Sequence, residues 1–105
     1  MTDPTVHMVR LDGELDAYSA PSLRERLHAV IEGAAEQDVL VVDLERVSFL
    51  DSTILGTLVG CLRRMRERGG ELQLVYPTGP AERIFALTGL DAVFPRAEPR
   101  ADPAG

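Results

Sequence analysis

Val39-Leu40-Val41-Val42-Asp43-Leu44 leads through Glu45-Arg46-Val47 into Ser48-Phe49-Leu50-Asp51-Ser52-Thr53-Ile54-Leu55-Gly56. The first six residues are almost continuously apolar and rich in β-branched side chains. That is the pattern of a strand buried on both faces, so a central place in a sheet is expected. After the polar step Asp51-Ser52-Thr53, apolar residues recur at helical spacing: Leu55, Leu58, Val59, Leu62 and Met65. A helix is predicted over about 53–68, ended by Gly69-Gly70. Gly56 and Gly60 expose no Cβ and predict close packing against another backbone. A buried strand that turns sharply into a helix is the repeating unit of an α/β fold.

The flanks repeat this unit. Upstream, 5–11 reads as a half-solvated strand with Val6, Met8 and Leu11 apolar, and Asp12-Gly13 as a turn or bulge, with 14–16 as a connection. A helix over 20–32 follows, with Ser19 as its expected cap, Pro21 where no N–H is needed, and Leu23, Leu27, Val30 and Ile31 as its stripe. Gly33 is its expected stop. Downstream, 71–76 alternates with Leu72, Leu74 and Tyr76 on one face. A third helix over 81–88 is predicted to point Ile84, Phe85 and Leu87 inward and to end at Gly89. Val93-Phe94 is a candidate last strand, and the Pro/Ala/Asp-rich run from 98 is expected to fray. The order β-α-β-α-β-α-β argues for a mixed or parallel sheet with packed helices.

Composition narrows the function classes. The chain has 105 residues, 45% of them apolar and 27% charged, which fits one globular domain. Aromatics are 5% and Trp is absent, so Leu, Val, Ile and Ala are expected to build the core. Seventeen acidic against eleven basic residues, all of them Arg, give a net charge of −6. That sign disfavours a sequence-independent grip on nucleic acid or on an anionic membrane. One cysteine, Cys61, excludes an internal disulfide and a cysteine-clustered zinc site. No apolar run is long enough to span a bilayer, and Met1-Thr-Asp-Pro lacks the layout of a signal peptide. The cytoplasm is the expected location.

The chemistry-bearing residues admit two readings each. Ser52 lies at or beside the start of the second helix, where first-turn amides and the helix dipole favour negative charge. It is either a plain helix cap or a hydroxyl that accepts phosphate. A nucleophilic serine is disfavoured: Gly-x-Ser-x-Gly is absent, and His7 and His28, both expected at the surface, lack the context of a placed base. Asp12, Glu14 and Asp16 miss the calcium-loop pattern, since Ala17 and Leu23 stand at its Gly and Glu positions. They read as solvated acids, as do Asp43, Glu45 and Asp51. Arg63, Arg64, Arg66 and Arg68 form either a solvated helix end or a docking patch for an acidic partner. Cys61 reads as a half-buried small hydrophobe rather than a redox thiol. No glycine-rich phosphate loop is present.

Two stretches in this order resemble the STAS domain family. Gly13-Glu14-Leu15-Asp16-Ala17-Tyr18-Ser19-Ala20 resembles its start, and Asp43 through Thr53 resembles its signature. Gly69-Gly70-Glu71-Leu72 with Arg83-Ile84-Phe85-Ala86-Leu87-Thr88-Gly89-Leu90 is similar to its last helix. The resemblance covers roughly 5–95, and the most similar group is the stand-alone bacterial anti-sigma factor antagonists. It implies an α/β STAS-like single domain over 5–97, with a flexible tail over 98–105. The implied sheet is small and mixed, with a parallel centre and helices packed mainly on one face.

The resemblance also implies a switch. Such a protein binds an anti-sigma factor with serine kinase activity and so releases a sigma factor. Phosphorylation of the serine after the signature Asp, here Ser52, ends the binding, and a phosphatase restores it. Asp16, Tyr18, Ser19, Asp51, Ser52 and Thr53 are the implied partner-binding residues. The two loops concerned lie at one end of the domain if the strands are parallel, because both follow strand C-termini. Asp51 beside Ser52, with Asp16 and Asp43 nearby, would sharpen the effect of a new negative charge. No catalytic residue, metal, cofactor, direct nucleic-acid contact or membrane contact is implied, and the protein is expected to be a monomer or weak dimer. Two departures stand out: Ile54 replaces the usual Gly two places after the serine, and fewer residues precede Gly13 than in many members, so the family's first edge strand is expected to be shortened or absent, with 5–11 left as an edge. Thr53 beside Ser52 is common in the family and offers a competing hydroxyl. The alternatives are a STAS accessory subunit of a lipid or solute transport complex, and a hydrolase using Ser52.

Overall fold

A computed structural model describes residues 3–76 and 79–97. The elements run β1 (Val6–Leu15), α1 (Ala20–Gly33), β2 (Val39–Leu50), α2 (Ser52–Glu67), β3 (Glu71–Val75), α3 (Pro80–Thr88) and a short 3-10 turn (Leu90–Ala92). The strand order is β1-β2-β3, so the strand read as central is central. Both pairings are parallel. The parallel centre is therefore as expected, and no antiparallel strand stands beside it among the described residues. The physical reason is connectivity: each strand is followed by a helix that returns the chain to the same starting end.

Period-two alternation sorts the sheet's faces. Val9, Leu11, Leu40, Val42, Leu44, Leu72, Leu74 and Tyr76 join one core with Leu23, Leu27 and Ile31 of α1 and the buried stripe of α2. Val41 and Val75 face the other way and pack with Ala97. On that second face Arg10 and Asp43 sit opposite each other in register and pair at 3.6 Å. Asp43 is thus committed in the middle of β2 and does not stand near Ser52, as the sequence reading had placed it. Aromatics contribute more than their number promised. Tyr76 stacks on Phe85 at 4.7 Å and Phe94 meets Phe85 edge-on at 6.2 Å, closing the β3 side of the core. Arg96 lies over the Tyr76 ring, donates to its carbonyl and pairs with Glu82.

Several local expectations change. β1 does not stop at Leu11. It passes Asp12-Gly13 as a bulged strand, with register shifts between Arg10 and Asp12 and between Gly13 and Glu14. Gly13 adopts φ +76 there, a conformation glycine alone takes without cost. The last strand is not Val93-Phe94 but a single bridge from Leu74 to Arg96, because the 3-10 turn occupies the chain up to Ala92. In α3 Phe85 is buried and Ile84 partly so, while Leu87 is 82% exposed. In α1 Gly33 remains helical, and the chain leaves the helix through Ala34 in an extended conformation. Gly89 does terminate α3 with φ +76. The tail from 98 lies outside the described residues.

The amino ends of the strands are tied together by Asp38, which is 4% exposed. Its carboxylate accepts from the Thr5 and Ala35 amides, each at 2.9 Å, and meets His7 Nε2 at 2.8 Å. Its carbonyl accepts from the Glu71 amide. Gly70 packs so closely here that a Cβ would lie 2.3 Å from the Asp38 carbonyl oxygen. Gly70→Ala is expected to cost about 1–3 kcal/mol, as overpacking against unyielding backbone does, measured by urea unfolding. The His7 hydrogen bond, followed by the two amides, holds the Asp38 pKa at about 2, below its ordinary 3.8. A depressed folded-state pKa contributes stability that is present above about pH 4 and lost as pH falls through about 2. Unfolding midpoints taken from pH 5 to pH 2 should fall more steeply for the wild type than for Asp38→Asn.

Candidate functional site

The junction between β2 and α2 is built around Asp51. Its side chain accepts from the Ile54 amide at 3.1 Å and its carbonyl accepts from the Leu55 amide at 3.2 Å. Asp51, not Ser52, is therefore the helix cap. Ser52 is the first helical residue and Thr53 the second, both exposed. Their amides have no helical carbonyl to bond, as at any helix start, and face the positive end of the helix dipole. Among the described residues the Ser52 hydroxyl has no hydrogen-bond partner. Ile54, at the family's usual Gly position, is fully buried and anchors this first turn in the core.

The loop between β1 and α1 is folded by Asp16 and Ser19 upon themselves. The Asp16 carboxylate accepts from the Tyr18 and Ser19 amides at 3.0 and 3.2 Å. The Ser19 hydroxyl accepts from the Asp16 amide and donates to its carbonyl. Ser19 is thus no side-chain cap of α1, because its hydroxyl is spent on the loop. The loop leaves Tyr18 96% exposed.

One backbone bond brings the two loops together: the Asp51 amide donates to the Leu15 carbonyl at 3.2 Å. Leu15 and Leu50 are register partners, so Asp16 and Asp51 each follow a strand end on adjacent strands. All six sequence-predicted residues therefore lie at one end of the domain, on two neighbouring loops. A shallow depression between them is lined by Ala17, Pro21 and Glu25 from one side and by Thr53 and Thr57 from the other. The sequence reading missed Phe49, which is 52% exposed just before Asp51. Its signal was alternation: Leu50 faces the core, so Phe49 cannot.

Other chemistry-bearing residues are drawn elsewhere. His7 is held by Asp38 at the opposite end of the strands from Ser52. His28 lies on α1, half-buried, and among the described residues neither histidine bonds Ser52. The arginines at the end of α2 do not form one patch. Arg66 binds Glu71 and the Val93 carbonyl, Arg68 binds the Ala34 carbonyl, and Arg64 faces Glu32 at 3.8 Å. Cys61 is fully buried rather than half-buried, and burial pushes its thiol pKa up, which suppresses the reactive thiolate. Among the described residues no group of three or more His, Cys, Asp or Glu is placed to hold a metal, and no helix is long and apolar enough to cross a membrane.

The cap assignment separates stability from the serine. Asp51→Ala should lower unfolding stability by about 1 kcal/mol, whereas Ser52→Ala should leave it within about 0.5 kcal/mol, both read by chemical denaturation.

Comparison with known proteins agrees with this geometry. Residues 2–102 match the STAS domain family. The chain is 42% identical to the anti-sigma-B factor antagonist of Bacillus subtilis over 82% of its length and 76% of the relative's. It superposes on an anti-sigma factor antagonist from Mycobacterium paratuberculosis with TM-score 0.78 and 31% identity, covering 99% and 86% of the two chains. It superposes on the phosphorylated form of the Bacillus cell-fate determinant SpoIIAA with TM-score 0.69 and 26% identity, covering 99% and 91%. Transporter STAS domains share the fold alone, at 19% and 17% identity. With its signature at the β2–α2 junction and a parallel sheet beneath it, this chain belongs to the STAS domain family.

Proposed function

We propose that the protein is an anti-sigma factor antagonist whose binding is switched off by phosphorylation of Ser52. The observation that carries this reading is the exposed Ser52 hydroxyl at the first position of α2, without a hydrogen-bond partner among the described residues, with the cap supplied by its neighbour. A serine that does not hold its helix can change charge without changing the fold. The partner is an anti-sigma factor with serine kinase activity, and a phosphatase resets the switch. The protein acts as a binding module in the cytoplasm, as a monomer or weak dimer, and not as an enzyme.

The energetics favour release without refolding. Phosphate adds about −1.5 to −2 charge at neutral pH. The helix dipole and the first-turn amides tolerate that charge locally. A partner docked across Asp16, Tyr18, Ser19, Asp51, Ser52 and Thr53 would meet it directly, alongside the two carboxylates already present. Like charges brought together at a closed interface cost several kcal/mol, enough to dissociate a complex. Exposed Tyr18 is the natural anchor on this surface, since aromatic side chains dominate binding energy when buried by a partner. The transporter reading rests on shared fold alone, at 19% and 17% identity.

Incubation with the cognate kinase and ATP should add one phosphate, and none to Ser52→Ala. Ser52→Ala should bind the kinase like the wild type, and Ser52→Asp should bind it more weakly. If both variants bind like the wild type, the charge switch is wrong. Phosphate on Thr53 instead would keep the mechanism and move its site. Tyr18→Ala should weaken binding at least tenfold by calorimetry, while Glu36→Arg, at the far end of the sheet, should leave affinity unchanged.

A further inference from the structure

Beyond the loops, α1 and α2 leave an open groove of about 410 Å³ between them. Its lining is Arg24, His28 and Arg64 together with Thr53, Thr57 and the two glycines Gly56 and Gly60. No carboxylate belongs to that lining, in a chain of net charge −6. Both arginines are exposed, and Arg64 meets Glu32 at 3.8 Å on the surface. Their fields reach the groove wall: burial lowers the His28 pKa, Arg64 and then Arg24 lower it further, and Glu32 opposes them by a smaller amount.

The glycines deepen the problem. Neither has positive φ, and a Cβ on either would meet nothing within 4 Å. The close packing expected from sequence is therefore absent inside this chain. Glycine inside a helix is unfavourable relative to alanine, so each weakens α2 with no internal return. Such a local conflict is expected where another molecule must come close.

We propose that this groove is a second docking surface for the anti-sigma factor, and that it receives an acidic segment of that partner laid against the bare backbone at Gly56 and Gly60. The proposal rests on the reading of the protein as an anti-sigma factor antagonist. The groove begins at Thr53, beside Ser52, so a partner engaged at the first turn of α2 continues into it. Charge complementarity selects the occupant: two arginines and no carboxylate favour Asp or Glu side chains.

The test uses the full chain against purified serine-kinase anti-sigma factors of the source bacterium. Wild type should bind one of them, with affinity falling as salt rises. Arg24→Glu with Arg64→Glu should lose at least tenfold in affinity and most of the salt dependence. Gly60→Leu should lose at least tenfold with the charges intact. Gly60→Ala should raise Tm by roughly 4–8 °C while weakening binding, a combination that a purely structural glycine would not produce. Failure of the wild type to bind any of these kinases would overturn the antagonist reading itself. Wild-type binding that is unchanged in the charge-reversed and Gly60→Leu variants would overturn the groove alone. Amide shifts at Gly56 and Gly60 on adding ATP or inorganic phosphate, but not the kinase, would overturn it in favour of a small anion. Shifts that depend on the protein's own concentration would do so in favour of a second copy.

Discussion

Burial of β2 on both faces is the constraint on which the molecule depends. Leu40, Val41, Val42 and Leu44 are all closed to solvent: strands flank β2, the helical layer covers one face, and Val75 and Ala97 close over Val41 on the other. Helical crossovers then make every neighbour parallel. Parallel strands gather their C-terminal ends at one edge of the sheet, where the loops that leave them meet. The bond from the Asp51 amide to the Leu15 carbonyl is the local expression of that geometry. It aligns an exposed tyrosine, two carboxylates and an exposed serine without needing any of them for the core.

The two ends of the sheet carry different duties. At the amino ends, Asp38 satisfies amides from two segments, holds His7 and leaves no room beside Gly70. That end is closed and structural. At the carboxyl ends, Asp16 and Asp51 each bond amides of their own loop, and the side chains that remain point outward. A charge change at Ser52 therefore meets a preformed surface, and the core beneath it has no reason to rearrange.

The helical layer divides in the same way. α2 buries Ile54, Leu55, Leu58, Cys61, Leu62 and Met65, each large apolar side chain contributing about 1.5–3 kcal/mol when removed from water. Its opposite side carries Gly56 and Gly60, where no internal contact offsets the loss of helix propensity. One helix thus joins a strongly specified inner face to an outer face at Gly56 and Gly60 that makes no internal contact a Cβ would reach.

Sequence by itself determined the element order as far as α3, the central strand, the stripes of α1 and α2 and the neighbourhood of Ser52. These follow from periodicity and from chain-local turn chemistry, which need no knowledge of distant residues. It also placed Asp16, Tyr18, Ser19, Asp51, Ser52 and Thr53 at one end, since parallel connection requires it. Tertiary structure alone decided the rest. Asp51 rather than Ser52 caps α2, because both can accept a first-turn amide and only the packing of Ile54 sets which does. Asp43 turned from a site neighbour into the cross-strand partner of Arg10, through a register no local pattern encodes. Leu87 faces outward and Phe94 inward because the 3-10 turn after Gly89 redirects the chain onto Phe85. Gly56 and Gly60 suit tight packing by sequence, yet the separation of α1 and α2 leaves open space around both. That distance is set by side chains on two helices far apart in the chain, which is why only the folded molecule reveals a groove there.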